Sequence, residues 1–548
     1  MPEFFYLHFN ERERAALRRR INGRSCTPEH PTKNHWIPMK QIVLSLVFAA
    51  TSLAAPCFAA EPATATLTVT SEAAGPRIEP EIYGHFAEHL GTGIYDGLWV
   101  GPESKIANTR GWRNDVVDAL RKLQVPVVRW PGGCFADDYD WRDGIGDPAK
   151  RPARVNKIWG NVIETNRVGT HEFMDLVDQI GAQAYLAGNM GSMPPRAMSQ
   201  WLEYMTSDSK SALAEERRRN GRDKPWQVKY FGIGNESWGC GGSMRPEYQA
   251  DLHNQYETFL HAPVVRVASG DGESNDHLVD VLMERSAKHM DALTLHYYTL
   301  PGDWTKHGSA TGFDAHAWAK TLKNAAGIEG RIETVSRLMD KHDPSKRVAL
   351  YVDEWGTWYD ATPGSNPAFL QQENTLRDAL AAALSFNAFH RHTERVKMAN
   401  IAQMVNVLQA VVLTDGPRML LTPTYHAFDL YKPFRGATPL KTKLQSPRWR
   451  EGDVELPAVD ISAARAADGS MVLALVNLDP QRPARVATNL VGAARGRLLT
   501  ADQMDSHNSF AQPNALVPQS YAAGANGSPL TLDLPPKSVL VVAVAMGQ

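Results

Sequence analysis

The segments VKYFGIGNESW, residues 228–238, and VALYVDEWG, residues 348–356, are the stretches that decide the fold. Each begins as a short run rich in apolar residues, which is typical of a strand buried on both faces of a parallel sheet. Each then ends in a polar cluster that contains a glutamate, Glu236 in the first segment and Glu354 in the second. Because (β/α)8 barrels carry their chemistry at the carboxyl ends of the strands, this pattern predicts such a barrel.

Further apolar runs of the same kind occur along the chain, and helix-like stretches separate them. The predicted strands are Ile82–Phe86, Val125–Trp130, Gln183–Ala187, Val228–Ile233, Val264–Ala268, Ala292–His296, Val348–Val352 and Val396–Ile401. The helix-like stretches include Arg113–Leu123, His171–Ile180 and Thr375–Arg391. Strands that alternate with helices predict an α/β fold, a closed (β/α)8 TIM barrel over residues 78–413.

The residues on either side of the barrel predict a second domain and an N-terminal strand. From residue 414 to 548, short strand-like segments such as Met471–Val476 and Ser538–Val544 alternate with turns that contain Gly, Pro and Asn. This texture indicates an all-β sandwich of the jelly-roll type. Residues 61–77 include a strand-like run, Ala65–Val69, which we expect to pair with that sandwich.

The first sixty residues have the pattern of a targeting segment. A charged start at Met39 precedes an apolar run, Ile42–Ala50, and small residues follow up to Ala60. This is the pattern of a signal peptide, and the apolar run is too short to anchor the chain in a membrane. We therefore expect an exported protein, periplasmic or secreted, without a membrane anchor. Residues 1–38 are then either an extension upstream of the true start or an unusually long n-region.

The composition argues against several classes of partner and cofactor. The 548 residues carry a formal net charge of −2, and no basic stripe suggests a nucleic acid. Neither a P-loop nor a dinucleotide-binding fingerprint occurs, so we expect no cofactor, and the proposed chemistry needs no metal. Cys134 and Cys240 would remain in the mature chain, so a disulfide framework is not expected. A single bridge between these two stays open, because spacing alone gives no geometry.

Glu236 and Glu354 are the candidate catalytic pair. Retaining glycoside hydrolysis needs one protonated carboxyl, which donates to the leaving oxygen, and one ionised carboxylate, which attacks the anomeric carbon. Either glutamate alone could equally be a solvated loop residue. Two of them at the ends of the fourth and seventh strands face the same barrel mouth, which favours catalysis. Asn235 lies beside Glu236 and can hydrogen-bond a sugar hydroxyl.

Four further motifs accompany the two glutamates in chain order. They are YGHFAEHLG at 83–91, RWPGGCF at 129–135, ETNRVGTHEF at 164–173 and NIAQMVN at 400–406. Together with GNE at 234–236 and DEW at 353–355, they resemble the motifs of the family-51 α-L-arabinofuranosidases. The resemblance implies a retaining, exo-acting glycoside hydrolase that releases terminal arabinofuranose from arabinoxylan, arabinan or arabino-oligosaccharides by double displacement. It also implies a homo-oligomer, often a hexamer.

The resemblance further implies a role for each matching residue. Glu236 would be the acid/base and Glu354 the nucleophile. The residues that would bind the substrate are Glu88, Cys134, Asn235, His296, Tyr298 and Gln403 around the terminal sugar, and Trp141, Trp238 and Trp358 on the leaving-group side. His296 and Tyr298 are two residues apart on one strand, so their side chains point the same way. Tyr298 can then orient the nucleophile by hydrogen bonding.

Three other functions remain open from the sequence alone. The segment HFAEH, residues 85–89, matches the H-x-x-E-H pattern of a class of zinc peptidases, although the flanking glycines argue against the helix that such a site needs. The same barrel could belong to an endo-acting β-glycanase. Aromatic residues and a β-sandwich would also suit a sugar-binding protein that lacks activity, but that protein would not need both glutamates.

Overall fold

Eight parallel strands close into a barrel in this computed structural model, which describes residues 61–272, 274–525 and 527–545. In chain order the barrel strands are Gly84–Phe86, Val127–Trp130, Gln183–Gly188, Tyr230–Ile233, Val265–Gly272, Ala292–Thr299, Ala349–Thr357 and Val396–Ala402. Each strand pairs with its neighbours in sequence, and the eighth pairs with the first through Asn400 and Gly84. The predicted TIM-type barrel is confirmed.

The observed strands differ from the predicted ones mainly at their ends. The first strand is shorter than predicted, because Pro80–Tyr83 forms a 3₁₀ turn with its proline at the first position. The sixth and seventh strands are longer and extend to Thr299 and Thr357. Their pairing continues past the apolar run, with His296 opposite Glu354. Both side chains therefore stand on strands and not on loops, next to irregularities in the strand pairing.

Helices surround the barrel and present apolar stripes to it. In chain order they are Asn114–Leu123, Thr170–Ile180, Pro195–Thr206, Ala212–Arg219, Pro246–Thr258, Asp276–Ser286, Ala315–His342, Leu376–Arg391 and Pro423–Tyr431. The first of them buries Val116, Val117, Leu120 and Leu123, a spacing that follows the helical period. The three helices that were predicted from the sequence begin and end within one residue of the corresponding observed helices.

The helix Leu376–Arg391 joins the barrel to the second domain. All of its residues except Arg391 are buried, because the barrel covers one side of the helix and the sandwich covers the other. On the sandwich side, the Asn387 amide donates to Asp460 at 2.8 Å, and a ring nitrogen of His390 lies 2.8 Å from the Ser462 hydroxyl. These contacts hold the two domains together as one unit.

The second domain is a β-sandwich whose strands form one continuous nine-stranded sheet among the described residues. Its strands, in spatial order, are Gln519–Ala523, Ala494–Leu499, Ser538–Val544, Met471–Asn477, Val459–Arg465, Thr438–Gln445, Ala63–Ala73, Ala484–Val491 and Pro529–Leu534. The strand Thr438–Gln445 bridges the two layers, since its first residues pair with Ala464 and Arg465 and its later ones pair with the N-terminal strand.

The N-terminal strand Ala63–Ala73 lies in the sandwich between two strands of the second domain. Its buried and exposed residues alternate over the first half, with Ala65 and Leu67 facing the core. Between the barrel and Thr438, helix Pro423–Tyr431 packs on barrel helices, and its last tyrosine donates to the Ala383 carbonyl at 3.2 Å.

Short hairpins and 3₁₀ turns complete the described chain. The hairpin strands are Asn108–Thr109 with Trp112–Arg113, Arg154–Asn156 with Val162–Glu164, Val412–Asp415 with Arg418–Leu421, and Arg448–Glu451 with Val454–Pro457. Among the helices of the described ranges, none is long and apolar enough to cross a membrane. The predicted signal peptide Met39–Ala60 and the segment before it lie outside the described residues.

Candidate active site

The two candidate glutamates meet at the mouth of the barrel. Glu236 follows the fourth strand, and Glu354 lies on the seventh. One carboxylate oxygen of each and one ring nitrogen of His296 all lie within 4.8 Å of one another. The carboxyl groups therefore approach each other about as closely as those of retaining glycosidases, which lie roughly 5–5.5 Å apart.

Glu354 is buried and held by several polar partners. Its Oε1 accepts a hydrogen bond from Arg129 Nη1 at 2.6 Å, and its Oε2 accepts one from the Tyr298 hydroxyl at 2.7 Å. The His296 Nδ1 lies 3.5 Å from the same Oε2. A guanidinium and a phenol that donate to the two oxygens of one carboxylate fix its orientation. These contacts suit a nucleophile.

Arg129 connects the strands that carry the site. It is buried, and besides Glu354 it donates from Nη2 to Asn235 Oδ1 at 2.6 Å. Its Nε lies 3.3 Å from Asp353 Oδ2, at an angle that makes this contact an ion pair and not a hydrogen bond. Because the Asn235 oxygen is occupied, the amide nitrogen of Asn235 is the atom left to donate to a sugar hydroxyl.

His296 links Glu236 to a buried aspartate. Its Nδ1 lies 2.8 Å from Glu236 Oε1, and its Nε2 lies 3.1 Å from Asp353 Oδ1. Burial by itself lowers the pKa of the His296 ring, but the carboxylates of Glu354, Asp353 and Glu236 outweigh it and raise that pKa well above its ordinary value. A protonated His296 can therefore donate a hydrogen bond from Nδ1 to Glu236 Oε1.

Asp353 is a buried residue that contacts the ring nitrogen of His296 that does not face Glu236. Its Oδ2 accepts a hydrogen bond from the Tyr185 hydroxyl at 2.8 Å. Burial raises the pKa of Asp353, but Arg129, His296 and Tyr185 together outweigh burial and leave the pKa below its ordinary value. Asp353 therefore stays ionised and keeps the His296 ring in one orientation.

Glu88 and Gln403 form one wall of the pocket. Glu88 Oε1 accepts the backbone N–H groups of Gly133 and Phe135 at 3.0 and 3.1 Å, while Gln403 Nε2 donates to Oε2 at 3.2 Å. Burial, together with the charge of Glu354, raises the pKa of Glu88 to about 7. The family resemblance placed Glu88 beside the terminal sugar, whose hydroxyls a carboxylate can accept. The structure leaves only Oε2 for that role, because the backbone occupies Oε1.

Cys134 and Cys240 form a disulfide, with their Cα atoms 5.6 Å apart. This settles the question that the sequence left open, and because a disulfide sulfur carries no hydrogen, Cys134 has no thiol hydrogen to donate to a sugar. The two sulfurs lie 3.8 and 3.5 Å from Glu236 Oε2. Cys134 therefore belongs to the site, but as part of a bridge beside the acid/base candidate.

Two of the three predicted tryptophans lie near the mouth. The Trp358 ring packs edge-on against Tyr298 with centroids 5.0 Å apart, and against Trp304 at 5.6 Å. Trp304, on the loop after the sixth strand, is 51% exposed. Trp238 is half-buried, and a Cβ on Gly272 would lie 2.2 Å from its ring, so only glycine fits there. These rings give the mouth an aromatic rim.

Trp141 is placed differently from the other two. Only 3% of it is exposed, and its indole N–H donates to the Ala197 carbonyl at 2.9 Å. Its ring packs against Tyr204 with the centroids 5.4 Å apart. This burial gives Trp141 packing contacts in the barrel wall, and its expected place on the leaving-group side stays a prediction.

The H-x-x-E-H segment does not form a zinc site. It runs through a strand and a turn, and His85 packs against Phe428 with ring centroids 4.9 Å apart, where burial lowers its pKa to about 3. His89 lies 2.8 Å from Glu164 through Nδ1, and its Nε2 accepts the indole N–H of Trp130 at 3.1 Å. Each histidine thus has its own structural surroundings, so the zinc peptidase hypothesis is wrong.

Three residues of the site received no role from the sequence: Arg129, Asp353 and Asp137. A charged side chain inside an apolar strand is costly unless it is paired, so VVRW at 127–130 already contained a signal for Arg129. Asp137 accepts the backbone N–H groups of Asn235 and Met190 at 2.8 and 2.7 Å. Burial raises its pKa to about 7, against the effect of these hydrogen bonds. Nothing in the local sequence distinguishes Asp137 from the neighbouring Asp138.

Comparisons with known proteins show the family to which the chain belongs. Residues 119–315 match the family model described as α-L-arabinofuranosidase 1 domain, and residues 353–538 match the α-L-arabinofuranosidase C-terminal domain. The chain is 45% identical over 488 residues to an intracellular exo-α-L-arabinofuranosidase of Bacteroides ovatus, which covers 87% of this chain and 95% of that protein.

Solved structures give the same result. The GH51 arabinofuranosidase of Xanthomonas axonopodis pv. citri is 51% identical, with a TM-score of 0.86 over 88% of this chain and 100% of that one. An α-L-arabinofuranosidase of Thermotoga maritima, solved as an arabinose complex, is 27% identical, with a TM-score of 0.78 over 88% of this chain and 99% of that one. The similarity therefore spans both the barrel and the sandwich.

Proposed function

Because this chain belongs to glycoside hydrolase family 51, the α-L-arabinofuranosidases, we propose that it removes terminal arabinofuranose from a substrate chain with retention of configuration. In this proposal Glu354 is the nucleophile and Glu236 is the acid/base. The observation that carries it is the approach of the two carboxylates and His296 to within 4.8 Å, because retaining enzymes separate their carboxyl groups by about 5–5.5 Å.

In the first step, a Glu354 oxygen attacks the anomeric carbon and the bond to the leaving oxygen breaks. Glu236 donates its proton to that oxygen, and the proton can be supplied along the contact with His296 Nδ1 at 2.8 Å. Arg129 and Tyr298 keep the attacking carboxylate aligned throughout. The products are a covalent glycosyl–enzyme ester and the freed alcohol.

In the second step, Glu236 takes a proton from water, and the water oxygen attacks the same carbon. The ester bond breaks, Glu354 leaves as a carboxylate, and arabinose departs with its original configuration. Asn235 and Glu88 line the gap and would bind hydroxyls of the ring. Hydrogen bonds to hydroxyls near the reacting carbon strengthen in the transition state and lower the barrier.

The stereochemistry of the first product tests this proposal. NMR spectra recorded in the first minutes of hydrolysis of an aryl α-L-arabinofuranoside should show the α-anomer before mutarotation. A β-anomer as first product would overturn the double displacement.

An aryl panel that includes xylosides and glucosides, together with soluble polysaccharides, tests the exo action on arabinofuranosides. Rapid loss of viscosity from β-glucan or xylan would instead indicate an endo-glycanase.

The proposed binding of the leaving chain rests on the aromatic rings at the mouth of the barrel. Trp304 and Trp358 can stack on sugar rings of the leaving chain, such as xylan or arabinan, because aromatic faces bind the apolar faces of sugars. Trp304→Ala should raise KM for arabino-oligosaccharides several-fold and leave KM for aryl arabinofuranosides nearly unchanged. Equal effects on both substrates would remove Trp304 from the leaving-group site.

We also propose export and self-association. Export is supported by the Met39–Ala60 pattern and by the disulfide, because disulfides persist in oxidising compartments. Sequencing the N-terminus of the protein from cell fractions tests it, since a cytoplasmic protein that begins upstream of residue 61 would contradict export.

The hexamer that the family resemblance implied is tested by the molar mass in solution, and a monomer would exclude it.

A further inference from the structure

Glu236 stands on a turn that the Cys134–Cys240 bridge closes. The backbone of Glu236 has φ of 39°, in the left-handed region, so the turn must hold it there. Its carbonyl accepts the N–H groups of Gly239 and Gly241 at 2.7 and 3.1 Å. Cys240 lies between these two donors, so the bridge is attached at the centre of the turn that fixes the Glu236 backbone.

The other end of the bridge lies on the short 3₁₀ helix Cys134–Asp138, directly after the second strand. Asp137 of that helix accepts the N–H of Asn235 at 2.8 Å, which is a second connection between the same two segments. The segments are also in close contact, since a Cβ on Gly241 would lie 2.5 Å from Asp137 Oδ2. The bridge thus belongs to a tightly packed junction and is not a loose surface staple.

The sulfurs also decide which atoms surround the acid/base carboxyl. Glu236 Oε1 faces His296, while Cys134 and Cys240 supply the contacts to Oε2 at 3.8 and 3.5 Å. Disulfide sulfurs have no hydrogen to donate, so Oε2 keeps its lone pairs, or its proton, for the leaving oxygen. Two thiols at the same place could each donate to Oε2 and compete with that transfer.

We propose that the Cys134–Cys240 disulfide is a positioning element for proton transfer by Glu236, and that its reduction lowers the activity of the enzyme. The proposal rests on the acid/base role that we assign to Glu236. A dithiol reductant breaks the S–S bond, supplies two electrons and two protons, and becomes a cyclic disulfide itself. The products at the site are two thiols, whose sulfurs must separate to non-bonded contact. Cys240 is solvent-exposed, so a small dithiol can reach the bridge.

The leaving group distinguishes a positioning role from a merely stabilising one. A nitrophenolate departs with little protonation, whereas the alcohol released from an arabinobiose needs a proton from the acid. Reduction should therefore lower kcat/KM for arabinobiose by about tenfold or more, a part of the usual contribution of a general acid, and change kcat/KM for nitrophenyl arabinofuranoside by less than about twofold. General destabilisation of the fold would lower both equally.

The experiment compares oxidised protein with protein reduced by dithiothreitol, at a temperature where circular dichroism shows that both are folded. For protein that retains residues 1–60, a Cys26→Ser/Cys57→Ser variant serves as the control, because it leaves the bridge cysteines as the only pair and should respond to reduction as the parent does. Cys134→Ser/Cys240→Ser should match the reduced enzyme and should not respond to dithiothreitol. Reduction of the folded parent keeps the test valid even if this double variant fails to fold.

One more variant distinguishes a failure of the disulfide proposal from a failure of the acid/base assignment on which it rests. Glu236→Ala should lose far more activity on arabinobiose than on the nitrophenyl substrate. Suppose that Glu236→Ala shows this dependence on the leaving group, but reduction leaves kcat/KM unchanged for both substrates or lowers it equally for both. The positioning role of the disulfide is then wrong, and the acid/base assignment of Glu236 stands. If Glu236→Ala itself shows no dependence on the leaving group, the acid/base assignment is wrong.

Discussion

The two sides of the active site hold their glutamates in different ways. Glu354 stands within a regular strand, is buried, and has polar contacts to Arg129, Tyr298 and His296. Glu236 stands on a turn, its side chain is 19% exposed, and it faces one histidine and the disulfide. The difference matches the two duties, because a nucleophile must stay ionised and aligned, whereas an acid/base must exchange protons with the leaving group and water.

Removal of the nucleophile should have the largest effect and tests the Glu354 side most directly. Glu354→Ala should lower kcat on the order of 10⁵-fold, the scale that accompanies loss of a covalent nucleophile. Azide should fit the space and restore turnover of a nitrophenyl substrate, with a glycosyl azide of inverted configuration as product. Glu354→Gln fills that space and should not respond to azide. A Glu354→Ala enzyme with normal turnover would contradict the assignment.

The raised pKa of Glu88, which burial and the charge of Glu354 cause, should make the free energy of unfolding depend on pH. Glu88 has its pKa raised from 4.5 to about 7 in the folded protein, so the fold binds a proton that the unfolded chain has lost across that window. Its contribution to the free energy of unfolding is therefore complete below pH 4.5 and falls by about 1.4 kcal/mol per unit up to pH 7, on the order of 3 kcal/mol in total.

Glu88→Gln has no such titration and is the reference for this measurement. The difference in unfolding free energy between parent and variant, from denaturant curves between pH 4.5 and 7, should decrease as pH rises. A constant offset from altered hydrogen bonds to Gln403 is expected and does not affect that slope. A flat or rising difference would show that Glu88 is not held protonated by its surroundings.

Loss of the tyrosine that aligns the nucleophile should have a smaller effect. Tyr298→Phe removes the hydrogen bond to Glu354 Oε2, and kcat/KM should fall about 30-fold, equivalent to about 2 kcal/mol, as expected for a hydrogen bond to a charged group. Tyr297→Phe is the matched control on the same strand, because its hydroxyl donates to the Asn324 carbonyl, away from the site. Equal kinetics for both variants would remove the alignment role from Tyr298.

The smallest effect is expected on the Glu236 side. Asp137→Asn can still accept the Met190 N–H but presents an amide N–H₂ to the N–H of Asn235, so the free energy of unfolding should fall by about 1 kcal/mol. Displacement of the Glu236 turn should lower kcat/KM by less than about tenfold. Asp138→Asn, at an exposed neighbour, should change neither quantity. A loss of activity as large as that of Glu236→Ala would give Asp137 more than a positioning role.

The eight barrel strands were predictable because a strand buried on both faces reads as an apolar run. Their ends were not, since residues such as Glu354 and Thr357 still pair across the sheet although they are polar. The disulfide was left open because its cysteines are 106 residues apart, and only the folded barrel brings the ends of its second and fourth strands together. The burial of Trp141 was not predictable either, because a motif match does not report how much of a side chain is exposed.

The sequence by itself determined the barrel, the sandwich, and the positions of Glu236 and Glu354 at strand ends, since periodicity and strand-end chemistry are local properties of the chain. Only the tertiary structure decided which partners surround each glutamate. Arg129 reaches Asn235 across 106 positions and Glu354 across 225, and these contacts exist only once the barrel has closed. Those contacts give Glu354 several buried polar partners and place a histidine and the disulfide beside Glu236, and this difference supports the roles that we propose for them.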